Sequence, residues 1–524
     1  MILQGKPMLR LIFTLFLLIL IPVNAMAIEI NDQGAAKLKS SFQKILDYQK
    51  TSNEAFGSML VLYDGEIKVK QEKEFYAVTL PRISFKSLKS ESQAKEFTFD
   101  IGVITLNMMP DDTAGYWKTA LSIPNEMTLS DETEEDIVIS FQDQKIIALF
   151  NEELGYFTKI NMNLSNISIK EGIEDMGINF GGAQFYTNLS ENENGKFSGP
   201  THLALKGLDI KSPEGSGHVK LGEAKFSFSI KNFTLDTLQE YSMKFKKHAD
   251  TFQLLNALEQ PDADIENINS DNVVDMILDL YNFDMDGFNF EYSIKDLKIT
   301  PDDNGEFNTL GLGLASIGFG LDGLNSEKGS LHIKTGYSAI NIEPSNPEYS
   351  DILPQNINFD IKAQNIPYTV LSELGTNSIK SIAKNPDMAT MAGMGILMKL
   401  PAILSQSDTQ IIIEDNGIKN EIYELTLDGN IVTDLTAMMS VSAKFTAMFK
   451  GLDKLLSISK ERSNAENENS AAFEELSKIL EKMKTIGKSE TAANGKSAYS
   501  FEFETTPEGK MLLNGQDAST ISFE

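Results

Sequence analysis

Phe288 to Ile299 reads FNFEYSIKDLKI, with Phe288, Phe290, Tyr292 and Ile294 alternating with Asn289, Glu291, Ser293 and Lys295. Successive side chains of a strand point to opposite faces, so this spacing gives one apolar face and one wet face, the antiparallel style. The same period runs outward in both directions: Phe97–Met108 (FTFDIGVITLNM), Asp136–Phe141, Ile160–Lys170 (INMNLSNISIK), Lys225–Ile230 and Ile357–Ile361. An Asp64-Gly65 turn followed by Glu66-Ile-Lys-Val-Lys reads as a hairpin. Asn304-Gly305, Asn416-Gly417, Asp428-Gly429, Asn494-Gly495 and Asn514-Gly515 read as further turns. The predicted fold is mainly β with peripheral α (α+β): long curved antiparallel sheets with helices packed on them.

Helical spacing is the minority pattern. It is expected over Ala36–Gln49, over Leu235–Leu258, over Asn272–Tyr281, and over Ala471–Ile486, where Gly487 stands as a C-cap. Residues 162–213 and 291–344 share an order of strand, Gly-rich strand, turn and His-bearing strand, with His202 and His332 at matching points, which suggests two related halves. Acidic stretches at Ser130–Asp136, Pro261–Asn272 and Ser459–Asn469 read as solvated loops. The expected segmentation is a leader over 1–27, an N-terminal β-rich region over 28–158, a sheet unit with helices over 159–283, a related unit with a Met-rich helix over 284–408, and a β/helix region over 409–524.

The leader carries the clearest address. Lys6 and Arg10 precede the apolar run Leu11–Val23, and Ala25 and Ala27 supply an A-x-A cleavage pattern. The run is shorter than the roughly 20 residues a membrane-spanning helix needs. A cleaved signal peptide, a periplasmic location and no stable transmembrane anchor after cleavage are expected, with an uncleaved N-terminal anchor as the alternative.

Composition removes several function classes. The 524-residue chain has a net charge of -29, which repels phosphates, so no nucleic-acid partner is expected. With 0 Cys, it has no disulfide, thiolate nucleophile or Cys-ligated metal. His202, His218, His248 and His332 form no H-E-x-x-H and no close pair. His248 is expected on a wet basic face with Lys244, Lys246 and Lys247. Asn282-Phe-Asp284-Met-Asp286-Gly287 starts like a calcium loop, but Ser293 stands where the bidentate Glu belongs, so a helix-to-strand turn is expected. Gly311, Gly313, Gly318 and Gly320 miss the dinucleotide fingerprint, and are expected to let the sheet bend or another element approach. No nucleophile elbow, S-x-x-K or P-loop occurs. No cofactor and no metal are expected, and the protein is expected not to be an enzyme. A hydrolase built on two carboxylates remains as an alternative, because that chemistry depends on geometry and not on spacing.

Met388–Leu404 (MATMAGMGILMKLPAIL) supplies the candidate contact residues: Met388, Met391, Met394 and Met398 at helical spacing, with Leu397 and Ile403. One reading buries this helix under the sheet. The other uses the plasticity of thioethers to line a groove for a lipid or another amphiphile. Met438, Met439, Met448 and Phe449 add to the apolar supply.

Leu425-Thr-Leu-Asp-Gly-Asn, the alternating run Ala437–Phe449, Gly451-Leu-Asp-Lys-Leu-Leu, the ending Pro507–Gln516 and Leu353-Pro-Gln-Asn-Ile-Asn-Phe-Asp-Ile follow an order that resembles the YdgA-like periplasmic proteins of proteobacteria and, more distantly, the AsmA-like envelope proteins. The resemblance covers roughly residues 288–524 and supplies no functional residues. It implies an exported β-rich protein without a catalytic site, associated with envelope homeostasis and lipid. The chain differs from those families in its apparent cleavage site, where they commonly keep an N-terminal anchor. The expected function is therefore binding of a lipid or amphiphile in an apolar groove, with a structural or assembly factor that binds envelope proteins as the alternative.

Overall fold

A computed structural model describes residues 30–56, 59–87, 96–113, 115–131, 136–171, 174–211, 217–235, 243, 247–249, 251, 275–276, 284–301, 309–343, 351–384, 389–437, 440–465, 469–491 and 497–521. The predicted leader, the turns at Asn304-Gly305 and Asn494-Gly495, and nearly all of the predicted helices after Leu235 and Asn272 lie outside the described residues. The protein is mainly antiparallel β with peripheral helices. It divides into two compact units: residues 1–213 with 229–284, and residues 214–228 with 285–524.

The first unit opens with α1 (Asp32–Phe56), then β1 (Met59–Asp64), β2 (Lys68–Gln71), β3 (Tyr76–Ser87), β4 (Phe97–Pro110), β5 (Tyr116–Ser122), β6 (Glu126–Asp131), β7 (Ile137–Ser140), β8 (Asp143–Asn151), β9 (Tyr156–Glu171), β10 (Glu174–Asn188), β11 (Ser190–Glu191) and β12 (Phe197–Lys211). Asp64-Gly65 does not make the expected hairpin. β1 and β2 lie end to end along the same partner, β3, through Asp64↔Arg82 and Lys68↔Thr79. Pro81 falls in the gap between these ladders, where its missing N–H costs no hydrogen bond. β4 likewise holds β6 at one end and β5 at the other, and β9 holds β7 and β8. Gly102 (φ +88) lies between the two ladders of β4, where a Cβ would meet Pro124 Cγ at 2.8 Å. The core forms where α1 lays Leu38, Phe42, Ile45 and Leu46 against Val78, Ile83, Phe85, Phe99, Leu106 and Phe150. Phe42 stacks on Phe150 with centroids 5.6 Å apart. Helical spacing on one side and strand alternation on the other thus bury one shared surface.

β13 (His218–Phe233) crosses the unit boundary. The second unit continues with β14 (Gly287–Thr300), β15 (Thr309–Asp322), β16 (Gly329–Glu343), β17 (Asn356–Ile366), α2 (Tyr368–Lys384), α3 (Ala389–Gln406), β18 (Gln410–Lys419), β19 (Glu424–Thr433), β20 (Val441–Lys450), α4 (Leu452–Ser463), α5 (Ser470–Ile486), β21 (Lys488–Thr491), β22 (Ser497–Thr505), β23 (Met511–Leu513) and β24 (Gln516–Asp517). From β14 to β20 each strand pairs antiparallel with the next, and β20 pairs with β22. The helical pair α2–α3 is therefore an insertion between neighbouring strands β17 and β18. A core forms at the C-terminal end, where Leu452, Leu455, Leu456 and Leu480 of α4 and α5 cover Tyr423, Phe449 and Tyr499.

Several local expectations need correction. Asn416-Gly417 lies inside β18 and Asp428-Gly429 inside β19, so neither is a turn. Asn514-Gly515 is one, with φ 53 and 80 between the paired Leu513 and Gln516. Ser459 is not in a solvated loop: it is buried in α4, and its hydroxyl donates to Leu455 O at 3.0 Å. Gly487 does cap α5, as expected, in extended geometry (φ -64, ψ 139), and its N–H donates to Met483 O. It is glycine because a Cβ there would press on Phe501 and Tyr499. His248 is buried and not on a wet face.

Candidate functional site

The pairing register of the second unit collects the apolar residues of successive strands on one face. Cross-strand partners share a face of the sheet. Phe290, Phe319, Ile333, Ile361 and Ile413 form one such row. Tyr292, Ile317, Thr335 and Phe359 form the next, and Phe288, Leu321, Leu331, Ala363, Ile411 and Ile431 the one on the other side. β13 extends the face, since Phe226 meets Phe290 at 5.1 Å and Phe228 meets Phe288 at 6.0 Å between ring centroids. The opposite face carries Glu291, Lys334, His332, Asp360 and Lys362, with His332 Nε2 and Asp360 Oδ1 2.7 Å apart.

Left-handed residues keep the apolar face in step. Asp296 (φ 52) in β14 is skipped by the ladder, so Ile294 is followed on its face by Leu297 and not by residue 296. Asp415 (φ 54) does the same in β18, where the register passes from Ile413 to Asn416. At Asp415 one residue is added to β18 relative to β19, a bulge that bends the strand and increases its twist, whereas the skip at Asp296 is matched by Gly313 opposite and leaves the register unchanged. Gly313 belongs to the same region, because a Cβ there would meet the Cβ of Ala339 (φ 56) at 2.8 Å. Of the two expected roles of these glycines, close approach describes that contact.

One end of the face is closed. Ile418 and Leu425 lead from it into the core under α4 and α5. Tyr337 and Tyr423 stand there, and burial pushes both phenols above their ordinary pKa, so they remain donors, to Pro354 O at 3.1 Å and Ile352 O at 2.9 Å. The other end is open. Ile317 is 50% and Phe359 45% exposed, and Tyr292, Ile333 and Ile361 are exposed as well. Among the described residues, no core cluster forms over β14 to β17.

No protein-family model matches the chain, and neither does any curated protein or solved structure. The function must be read from the geometry.

The Met-rich segment occupies a different place from the one its buried reading gives it. Met388 lies outside the described residues. Met391, Met394, Leu397 and Met398 are 64, 59, 68 and 81% exposed on α3, and Ile403 is half-buried. The helix packs beside α2 and touches β19, and those contacts leave this stripe to solvent. Met438 and Met439 also lie outside the described residues, whereas Phe449 is in the core.

The exposed sheet rows were missed because an apolar face in period two normally means a buried one. Among the described residues, no three acidic or His side chains stand together as a metal site. Asp284, within the calcium-like stretch, is bound instead by Lys196 at 2.7 Å and by the Thr234 hydroxyl at 2.7 Å, which lower its pKa.

Proposed function

We propose that the protein is a non-catalytic periplasmic binder of lipid or another amphiphile, with the hydrocarbon lying along the open apolar face of the second unit. The supporting observation is that face itself: rows of Phe, Ile, Leu and Tyr continue from strand to strand, and among the described residues no core covers them. Contiguous exposed apolar surface is rare unless it meets a partner or a ligand. Covering it recovers roughly 25 cal/mol for each Å² removed from water. The leader and the resemblance to YdgA-like and AsmA-like proteins agree with this reading, and among the described residues no helix is long and apolar enough to cross a membrane.

Native mass spectrometry of gently purified protein tests it. Adducts with lipid masses are expected on the wild type and should be lost in Ile317→Asp/Phe359→Asp, with an unchanged far-ultraviolet spectrum in both. A bare wild-type mass, together with no uptake of a fluorescent long-chain fatty acid, would refute the reading.

The exposed stripe on α3 favours a second reading, an assembly factor that docks an envelope protein against Met391, Met394 and Met398. A photocrosslinker at Met398 would then capture one recurrent protein, and lipid would be absent.

A further inference from the structure

The first unit carries a groove of about 770 Å³ on the sheet surface formed by β4, β5, β8, β9 and β10. That is a usual size for a small-ligand site. Its residues fall in register. Asn107, Ala120, Ile147, Asn161 and Tyr186 make one row across the strands, and Met109, Lys118, Leu149, Lys159 and Asn188 the row beside it. Met109, Ile147 and Tyr186 are exposed large apolar residues on a face that should be polar. Tyr186 is held flat against His202, with ring centroids 5.9 Å apart and planes 12° from parallel.

A chain of polar side chains beside the groove runs in one direction and reaches it at Asn161. Lys206 Nζ donates to Gln184 Oε1 at 2.7 Å, Gln184 Nε2 donates to Asn163 Oδ1 at 2.9 Å, and Asn163 Nδ2 donates to Asn161 Oδ1 at 2.8 Å. The chain of donors ends on the Asn161 amide nitrogen, which has no acceptor among the described residues. A positive charge at the start of such a chain polarises each link and makes the last N–H a better donor. Lys159 stands two residues away on the same face of β9 and makes no ion pair among the described residues. The groove's other cation, Lys118, is held by Asp111 and Asp112 at 3.2 Å each.

We propose that this groove binds a straight-chain alkyl carboxylate, the chain over Met109, Ile147, Leu149 and Tyr186 and the carboxylate between Lys159 Nζ and Asn161 Nδ2. The charge decides the occupant. In a chain of net charge -29, a lysine with no ion pair among the described residues, beside a polarised amide and an apolar floor, matches a ligand that is greasy along its length and anionic at one end. A charge-assisted hydrogen bond is roughly twice as strong as a neutral one. The site lies within the first unit, and the proposal does not depend on the sheet face of the second.

Calorimetric titration of the full chain with decanoate, decanol and decyl phosphate tests the assignment. Trp117, the single tryptophan and the residue before Lys118, serves as a fluorescent reporter. Saturable binding of one decanoate is expected, about tenfold tighter than decanol. Lys159→Met should weaken decanoate about tenfold and leave decanol unchanged. Asn163→Leu, which cuts the amide chain, should weaken decanoate severalfold, and Ile147→Asn should weaken both ligands. Equal affinities for decanoate and decanol, an unaffected Lys159→Met, clearly tighter decyl phosphate, or no saturable binding would each overturn the proposal. Ile317→Asp/Phe359→Asp separates the two sites. If it abolishes decanoate binding while Lys159→Met does not, the carboxylate site is refuted and the sheet face alone is the binder.

Discussion

Glu152 keeps a carboxylate inside the first unit at 1% exposure, where it accepts the indole N–H of Trp117 at 3.0 Å. Burial raises its pKa above the ordinary 4.5, and the indole hydrogen bond and Lys37 only partly offset this. An acid whose pKa is higher in the folded than in the unfolded state holds its proton better when folded. Its ionisation therefore removes stability as the pH rises from about 4.5 through the raised value, and the loss is complete above it. Glu152→Gln keeps an acceptor for the indole and has no charge to desolvate. The variant is expected to be more stable than the wild type at pH 7 to 8, with the gain shrinking on acidification and gone below about pH 4.5. Urea unfolding followed at several pH values checks the sign; a gain that grows on acidification would show that the Lys37 and Trp117 contacts outweigh burial.

Asn416 shows at the same scale why a local reading can fail. Next to Gly417 it has the chemistry of a turn, yet it lies 2% exposed within β18. Its Oδ1 accepts from Asp360 N at 2.8 Å, and its Nδ2 donates to Asp360 O at 2.7 Å and Glu414 O at 3.1 Å. A side chain replaces the backbone bonds that the bulge at Asp415 breaks. Which partner an Asn satisfies depends on a strand more than fifty residues away in sequence, so no window along the chain could distinguish the bulge from a turn.

Among whole elements, the legible ones are those whose spacing and burial agree. α1 and α5 present one apolar stripe and bury it, and β4 and β9 follow their alternation. Two kinds of element were not legible. Strands that meet a single long partner end to end, as β1 and β2 meet β3, cannot be told from a hairpin by the residues between them. The candidate sites were hidden for a related reason. Hydropathy patterns separate apolar from polar positions but do not say whether an apolar stripe is covered, and α3 resembles a core helix in sequence while standing exposed. The difference predicts contrasting costs. Phe42→Ala on α1, which removes a ring stacked in the core, should cost about 3–5 kcal/mol. Met398→Ser on α3 should fall within about 0.5 kcal/mol of the wild type. Chemical denaturation of both variants checks this, and a loss of more than about 2 kcal/mol at Met398 would mean that the stripe is packed in solution.

For the molecule as a whole, the exposed apolar rows of the second unit and the net charge of -29 oppose each other. An uncovered apolar face favours contact between copies, at roughly 25 cal/mol for each Å² hidden. Like charge spread over the same chain resists that contact through a field reaching about 10 Å at 0.1 M salt and about 3 Å at 1 M. Screening or neutralisation should therefore release the self-association that charge suppresses. Ligand-free protein is expected to remain monomeric at pH 7.5 and 0.1 M salt, and to form larger species in 1 M salt or as the pH approaches the pI of about 4.6. Ile317→Asp/Phe359→Asp should resist the salt-driven step, because it breaks the apolar rows while adding charge within the contact itself. Size-exclusion chromatography with light scattering measures this directly. Equal association of the variant and the wild type in 1 M salt would assign the contact to another surface, with the α3 stripe next to be tested by Met394→Ser/Met398→Ser.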